Sequence, residues 1–130
     1  IEKLAIFEEE LERRQWCAER YTKNLASCVM TPLVDDAHYS AWAQYTIRLN
    51  DTGQRARVQE ELSEAGIPSM IYYPIPLHQQ RAYALAGRKP ASLPFTEEIS
   101  CQVLSLPMHP YLEGEEIDRV SDIVMAAVRR

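Results

Sequence analysis

Residues 41–68 read AWAQYTIRLNDTGQRARVQEELSEAGIP, and this stretch decides the fold class. Ala43, Tyr45, Ile47 and Leu49 alternate with Trp42, Gln44, Thr46 and Arg48, which predicts a strand over 41–50 with one dry face. Asp51 and Thr52 are residue types that cap a helix, and Val58, Leu62 and Ala65 mark the inner side of one over about 54–65. Gly66 supplies a left-handed stop and Pro68 forbids continuation. A strand that passes straight into a capped helix points to an α+β layer.

The same signals extend in both directions. Leu4, Phe7, Leu11, Ala18, Tyr21 and Leu25 follow helical spacing, so residues 2–26 read as one long helix with Glu and Arg on its far side. The chain opens without Met and with no N-cap, as expected of a piece of a longer protein. TPLVDDAHYS (31–40) is a linker, and SMIYY (69–73) reads as a second strand. QQRAYALA (79–86) forms one or two helical turns before the breaker GRKP (87–90), and Phe95, Ile99 and Val103 mark a short helix over 95–104. LSLP (104–107) is a third strand. The last helix, 113–130, is acidic first and basic last, with Ile117, Val120, Val124 and Val128 inward. The expected fold is therefore α+β: a small three-stranded, mainly antiparallel sheet covered by helices and preceded by a long helix.

Length and composition set the limits. The chain has 130 residues, fitting one domain, with 46% hydrophobic and 25% charged residues, the balance of a folded soluble protein. The net charge is -5, and no Lys/Arg cluster is interleaved with aromatics, so no nucleic-acid partner is expected. No apolar run reaches the roughly 18 residues of a membrane span, and the acidic N-terminus is no signal peptide. Cys17, Cys28 and Cys101 lack metal-ligand spacing and are expected as buried free thiols in a reducing cytoplasm. Met30, Met70, Met108 and Met125 read as core filling.

Chemistry points to Ile67–Tyr83, IPSMIYYPIPLHQQRAY. Pro74 and Pro76 fix two φ angles and bias Tyr73 and Ile75 toward extended conformations, which suits a stiff wall that presents side chains. Tyr72 and Tyr73, adjacent at a strand end, should point to opposite faces, one into the core and one toward a cleft. His78 can donate or accept a hydrogen bond near neutral pH. The alternative is a rigid surface loop packed by its own aromatics. His38 and His109 lie in loops beside Tyr39 and Tyr111 and read as solvated or structural. A nucleophile turn and a phosphate-cradling glycine loop are both missing from the sequence.

The segments AQYTIRLN (43–50), VQEELSEAGIPSMIYYPIPLHQQRAYA (58–84) and LPFTEEISCQVLSLPMHPYLEGEEIDRV (93–120) together resemble the C-terminal part of the DegT/StrS-type nucleotide-sugar aminotransferases. EKLAIFEEELERRQ (2–15) is similar to that family's helix between its large and small domains. The resemblance implies a small C-terminal domain, with 1–26 as the inter-domain helix and 27–130 as the α+β body, in a cytoplasmic homodimer. It implies a pyridoxal-phosphate enzyme that moves an amino group from glutamate to a keto group of a nucleotide-linked sugar, as in cell-surface polysaccharide synthesis. Substrate-facing roles would fall to Tyr73 and His78, then Tyr83, and last Tyr72, where many relatives have a histidine. Glu113 stands where relatives often carry a Ser or Thr helix cap. None of Lys3, Lys23 and Lys89 has a context resembling the family's Schiff-base lysine, so this piece alone is expected to be inactive and to hold no cofactor. The competing reading is a stand-alone α+β interaction or regulatory module. The two differ at Leu4, Phe7 and Leu11, which a free-standing module would cover within its own fold.

Overall fold

A computed structural model describes residues 2–85 and 92–130 of the chain. Helices α1 (Glu2–Ala5) and α2 (Phe7–Leu25) replace the single helix expected over 2–26. The break is at Ile6, whose φ of -110° and ψ of 5° leave the helical range. Strand β1 (Tyr45–Arg48) leads to helix α3 (Thr52–Glu64), with Asp51 accepting the Gln54 amide at 2.8 Å as N-cap. Gly66 adopts φ 73°, and the Ile67 amide closes back on the Leu62 carbonyl at 2.8 Å, so the helix stops as expected. A 3-10 turn (Leu77–Gln79), α4 (Arg81–Leu85) and α5 (Pro94–Ser100) follow, then β2 (Val103–Leu106) and α6 (Gly114–Val128). The GRKP breaker, with Lys89, lies outside the described residues, as does the end of the 79–86 segment.

Strands β1 and β2 pair antiparallel, with Tyr45 opposite Leu106 and Ile47 opposite Leu104. The expected third strand at 69–73 contributes only one bridge, Met70 to Ser105. The next hydrogen-bonded pair in register toward the start of the segment would set Pro68 against Pro107, and neither has an N–H to donate, so the ladder stops on that side of the bridge. On the other side of β1 a second isolated bridge joins Met30 to Arg48. The sheet is thus two strands with single-residue bridges on both flanks.

Strand β1 is also shorter than the predicted 41–50. Trp42 has φ 47°, a left-handed value unusual for a bulky residue, and this turns the chain before the strand begins. The turn reverses the expected faces: Trp42 enters the core against Tyr45, 5.7 Å between ring centres, and Ala43 is exposed. The Trp42 indole N–H then donates to Gln15 Oε1 at 2.8 Å. At the other end of the pairing, Val103 belongs to β2, so α5 ends three residues earlier than its apolar spacing implied.

The core lies between the sheet and helices α2, α3 and α6. Tyr21 and Leu25, Tyr45 and Ile47, Val58 and Leu62, Leu104, Ile117 and Val124 are all fully buried. Each aliphatic side chain so removed from water contributes about 1.5–3 kcal/mol. Tyr21 stacks on Tyr45 with 5.0 Å between ring centres, and its hydroxyl donates to the Pro107 carbonyl at 3.1 Å. Outside this core, Arg20 grips Asp118 with two hydrogen bonds of 2.9 and 2.5 Å, and Asn24 adds a third at 2.9 Å. These contacts tie α2 to α6. At the start of α6 the Glu116 carboxylate accepts the Glu113 backbone amide at 2.8 Å, the half of a capping box that does not depend on the side chain at 113.

Two expectations about soft residues need correction. Met30 and Met70 are exposed, because both sit on the flanking bridges and not in the core; Met108 and Met125 are half-buried at its edge. Of the thiols only Cys17 is buried; Cys28 is half-buried, and Cys101 is exposed just past α5.

Candidate functional site

The proline-rich loop holds its aromatic residues outward. Tyr73 is 73% exposed, Ile75 54% and Leu77 63%, and Phe95 on α5 is 66% exposed. Between them runs a groove of about 730 Å³. One wall is the loop, through Tyr73, Ile75, Pro76 and Leu77; the other is α5, through Phe95, Thr96 and Ile99. Thr46 of β1 and Val103 of β2 also line it.

Tyr72 borders this groove and also a smaller cleft of about 230 Å³ bounded by Gln44, Met70, Ser105 and Met108. Both tyrosines are therefore outside the core, against the expectation that one would enter it. That expectation assumed a strand through 69–73, of which only Met70 pairs. The Tyr72–Tyr73 peptide is cis, and the two rings meet edge to face, 6.2 Å apart. Tyr83 is exposed on α4 and is not among the residues lining the groove.

His78 has a different place. It sits on the 3-10 turn behind the loop wall, largely buried, with Nε2 3.0 Å from Glu97 Oε1 on α5. The same oxygen accepts the Leu93 amide at 3.1 Å, so Glu97 also serves the first turn of its helix. The carboxylate has no proton to give, so Nε2 carries the hydrogen in this contact. The His78 hydrogen bond first, and then the Leu93 amide, hold the Glu97 carboxyl below the usual glutamate range. Sequence reasoning missed Glu97. The available signal was its place four residues after Leu93 in a helix opened by proline, where an acidic side chain can reach back to the helix start.

Lys3 is held by Glu10, which also accepts from the Tyr111 hydroxyl, and its pKa is raised, chiefly by the Glu10 hydrogen bond. Lys23 is exposed on α2 among Arg20, Asp118 and Asp122, away from the groove. Among the described residues no lysine lines the groove. His38 pairs with Asp35 at 2.6 Å in an exposed loop, and His109 lies in the open beside Tyr111. Leu4 is 73% exposed, Phe7 47%, and Leu11 half-buried, so the start of the helical stripe is not covered by the rest of this chain. No helix among the described residues is long and apolar enough to cross a membrane.

Comparison with known proteins identifies the family to which this α+β layer with its open aromatic groove belongs. Residues 1–125 match the DegT/DnrJ/EryC1/StrS aminotransferase family, and the chain belongs to it. It is 42% identical over 118 residues to the UDP-2-acetamido-2-deoxy-3-oxo-D-glucuronate aminotransferase of Pseudomonas aeruginosa, covering 90% of this chain and 31% of that protein. A DegT DnrJ EryC1 StrS aminotransferase from Brucella abortus superposes with a TM-score of 0.84 at 41% identity, over 96% of this chain and 33% of its own. The Bacillus subtilis protein NtdA, solved with bound cofactor PMP, superposes with a TM-score of 0.82 at 27% identity, over 93% of this chain and 29% of its own. The chain therefore spans about a third of the length of the relatives it matches.

Proposed function

We propose that this chain is the C-terminal small domain of a pyridoxal-phosphate-dependent aminotransferase. The whole protein would move an amino group from glutamate to a keto group of a nucleotide-linked sugar, as a cytoplasmic homodimer. One observation carries this reading: the Tyr/Pro rim opens a groove outward instead of packing against the helices. The exposed start of the helical stripe, at Leu4 and Phe7, supports it, since a larger protein has surface to cover there. Residues 1–26 would be the inter-domain helix and 27–130 the body.

In this reading the cofactor belongs to the remainder of the longer protein. The work of this chain is to bind and to exclude water. Tyr73 and Tyr72 supply broad faces with a hydrogen-bonding tip, suited to a sugar ring or its carrier. Ile75, Leu77 and Phe95 keep the groove dry. Tyr83 would meet substrate only where α4 approaches the missing part, and His78 would serve it from behind the wall.

The test uses the longer protein that carries this chain, loaded with pyridoxal phosphate and given glutamate with a panel of nucleotide-linked keto sugars. Formation of 2-oxoglutarate and amino sugar in equal amounts is the expected result. Tyr73→Ala should lower kcat/KM at least about tenfold while stability stays within roughly 0.5 kcal/mol, because this ring is exposed. Absence of amino-sugar product across the panel would reject the proposal.

A further inference from the structure

Neither His78 nor Glu97 is among the residues that line the groove. Their neighbours are its walls: Pro76 and Leu77 precede His78 on the loop side, and Phe95 and Thr96 precede Glu97 on α5. The hydrogen bond between Nε2 and Oε1 therefore joins one wall to the other. Few main-chain bonds hold the loop in place. Its tie to the sheet is the single Met70–Ser105 bridge, and the turn closes through the Gln79 amide on Pro76 and the Gln80 amide on Leu77. Proline stiffens the loop internally but does not set its distance from α5.

We propose that Glu97 and His78 form a clasp that fixes the spacing between the two walls, and that both are positioning residues for whatever occupies the groove. Geometry and chemistry support this together. Glu97 Oε1 accepts from the Leu93 amide as well as from His78, so the acceptor is held by its own helix before it meets the ring. A charge-assisted bond at 3.0 Å on a largely buried imidazole is directional and poorly replaced by water. The clasp belongs to the groove assigned above to substrate, so its use in catalysis rests on that reading; the clasp itself does not.

The experiment uses the longer protein that carries this chain, as wild type and as Glu97→Ala, Glu97→Gln, His78→Ala and the Glu97→Ala/His78→Ala double variant. Amide hydrogen exchange at Gln79 and Gln80 reports the loop wall, and the Nε2–H proton resonance of His78 reports the bond. Glu97→Ala should speed exchange at both amides roughly three- to tenfold and remove the protected imidazole proton. His78→Ala should match it, and the double variant should add nothing further. Glu97→Gln keeps an acceptor oxygen and should restore most of the protection. Loss of the helix-start contact alone would loosen α5 without touching Gln80, which is the more selective reporter because the Gln79 side chain also hydrogen-bonds Glu97. Unchanged exchange at those amides in Glu97→Ala, or additive effects in the double variant, would overturn the proposal. Failure of the transamination assay with the exchange pattern intact would reject the catalytic reading and leave the clasp standing.

Discussion

Tyr21→Phe probes the join between the core and the segment that leads to the smaller cleft. The substitution keeps the ring, its stacking on Tyr45 and its burial, and removes only the hydroxyl that donates to the Pro107 carbonyl at 3.1 Å. A carbonyl left without its donor in a largely buried site costs about 1–2 kcal/mol at neutral pH. For a chain of this length that is a fall of roughly 3–8 °C in Tm. Alkaline pH adds a second, opposite signature. Burial first, with the nearby Cys17 and Tyr45, raises the Tyr21 pKa far above the ordinary tyrosine range. The unfolded chain then loses this proton near pH 10 while the folded one retains it, so the wild type loses stability as pH rises from there toward the folded value. Phenylalanine has no such proton. The deficit of the variant should therefore shrink above pH 10 by up to about 1.4 kcal/mol per pH unit. Urea unfolding followed by circular dichroism at pH 7 and across pH 9.5–11, with m unchanged, measures both. Equal stability at pH 7, or a gap that stays constant through the alkaline range, would refute the assigned hydrogen bond and burial.

Gly66→Ala tests the helix stop: no atom lies within 4 Å of the added methyl, so the cost is conformational, about 1 kcal/mol at φ 73°, read as a shifted urea midpoint. Asp118→Asn tests the tie between α2 and α6. The Arg20 hydrogen bonds first, and then Asn24, lower the Asp118 pKa to about 2, so its stabilisation is present above the unfolded value near 4 and disappears as pH falls toward 2. The variant should be less stable than wild type at pH 6, with the two curves converging in acid.

The sequence alone carried the reading wherever a local rule had no competitor. Asp51 caps α3 and Gly66 ends it, because a carboxylate beside free amides and a residue without Cβ act within a few bonds. The 2.0 and 3.6 periods placed Tyr45 and Ile47 inward, and likewise Ile117 and Val124, because each element has only one face to bury. The outward Tyr/Pro rim was legible as a stiff loop, and the family as a set of motifs in order. What tertiary structure decided depends on partners distant in the chain. Trp42 turned into the core because Tyr45 and Gln15 were there to receive it, at the expense of a left-handed backbone. Residues 69–73 gave one bridge and no strand; toward its start the ladder would need Pro68 to pair with Pro107, and neither can donate. His78, with the same local sequence, could have faced a cleft or a helix; Glu97, nineteen residues away, settled it. Period and composition encode which face is dry, but only the folded chain decides which polar groups meet across it.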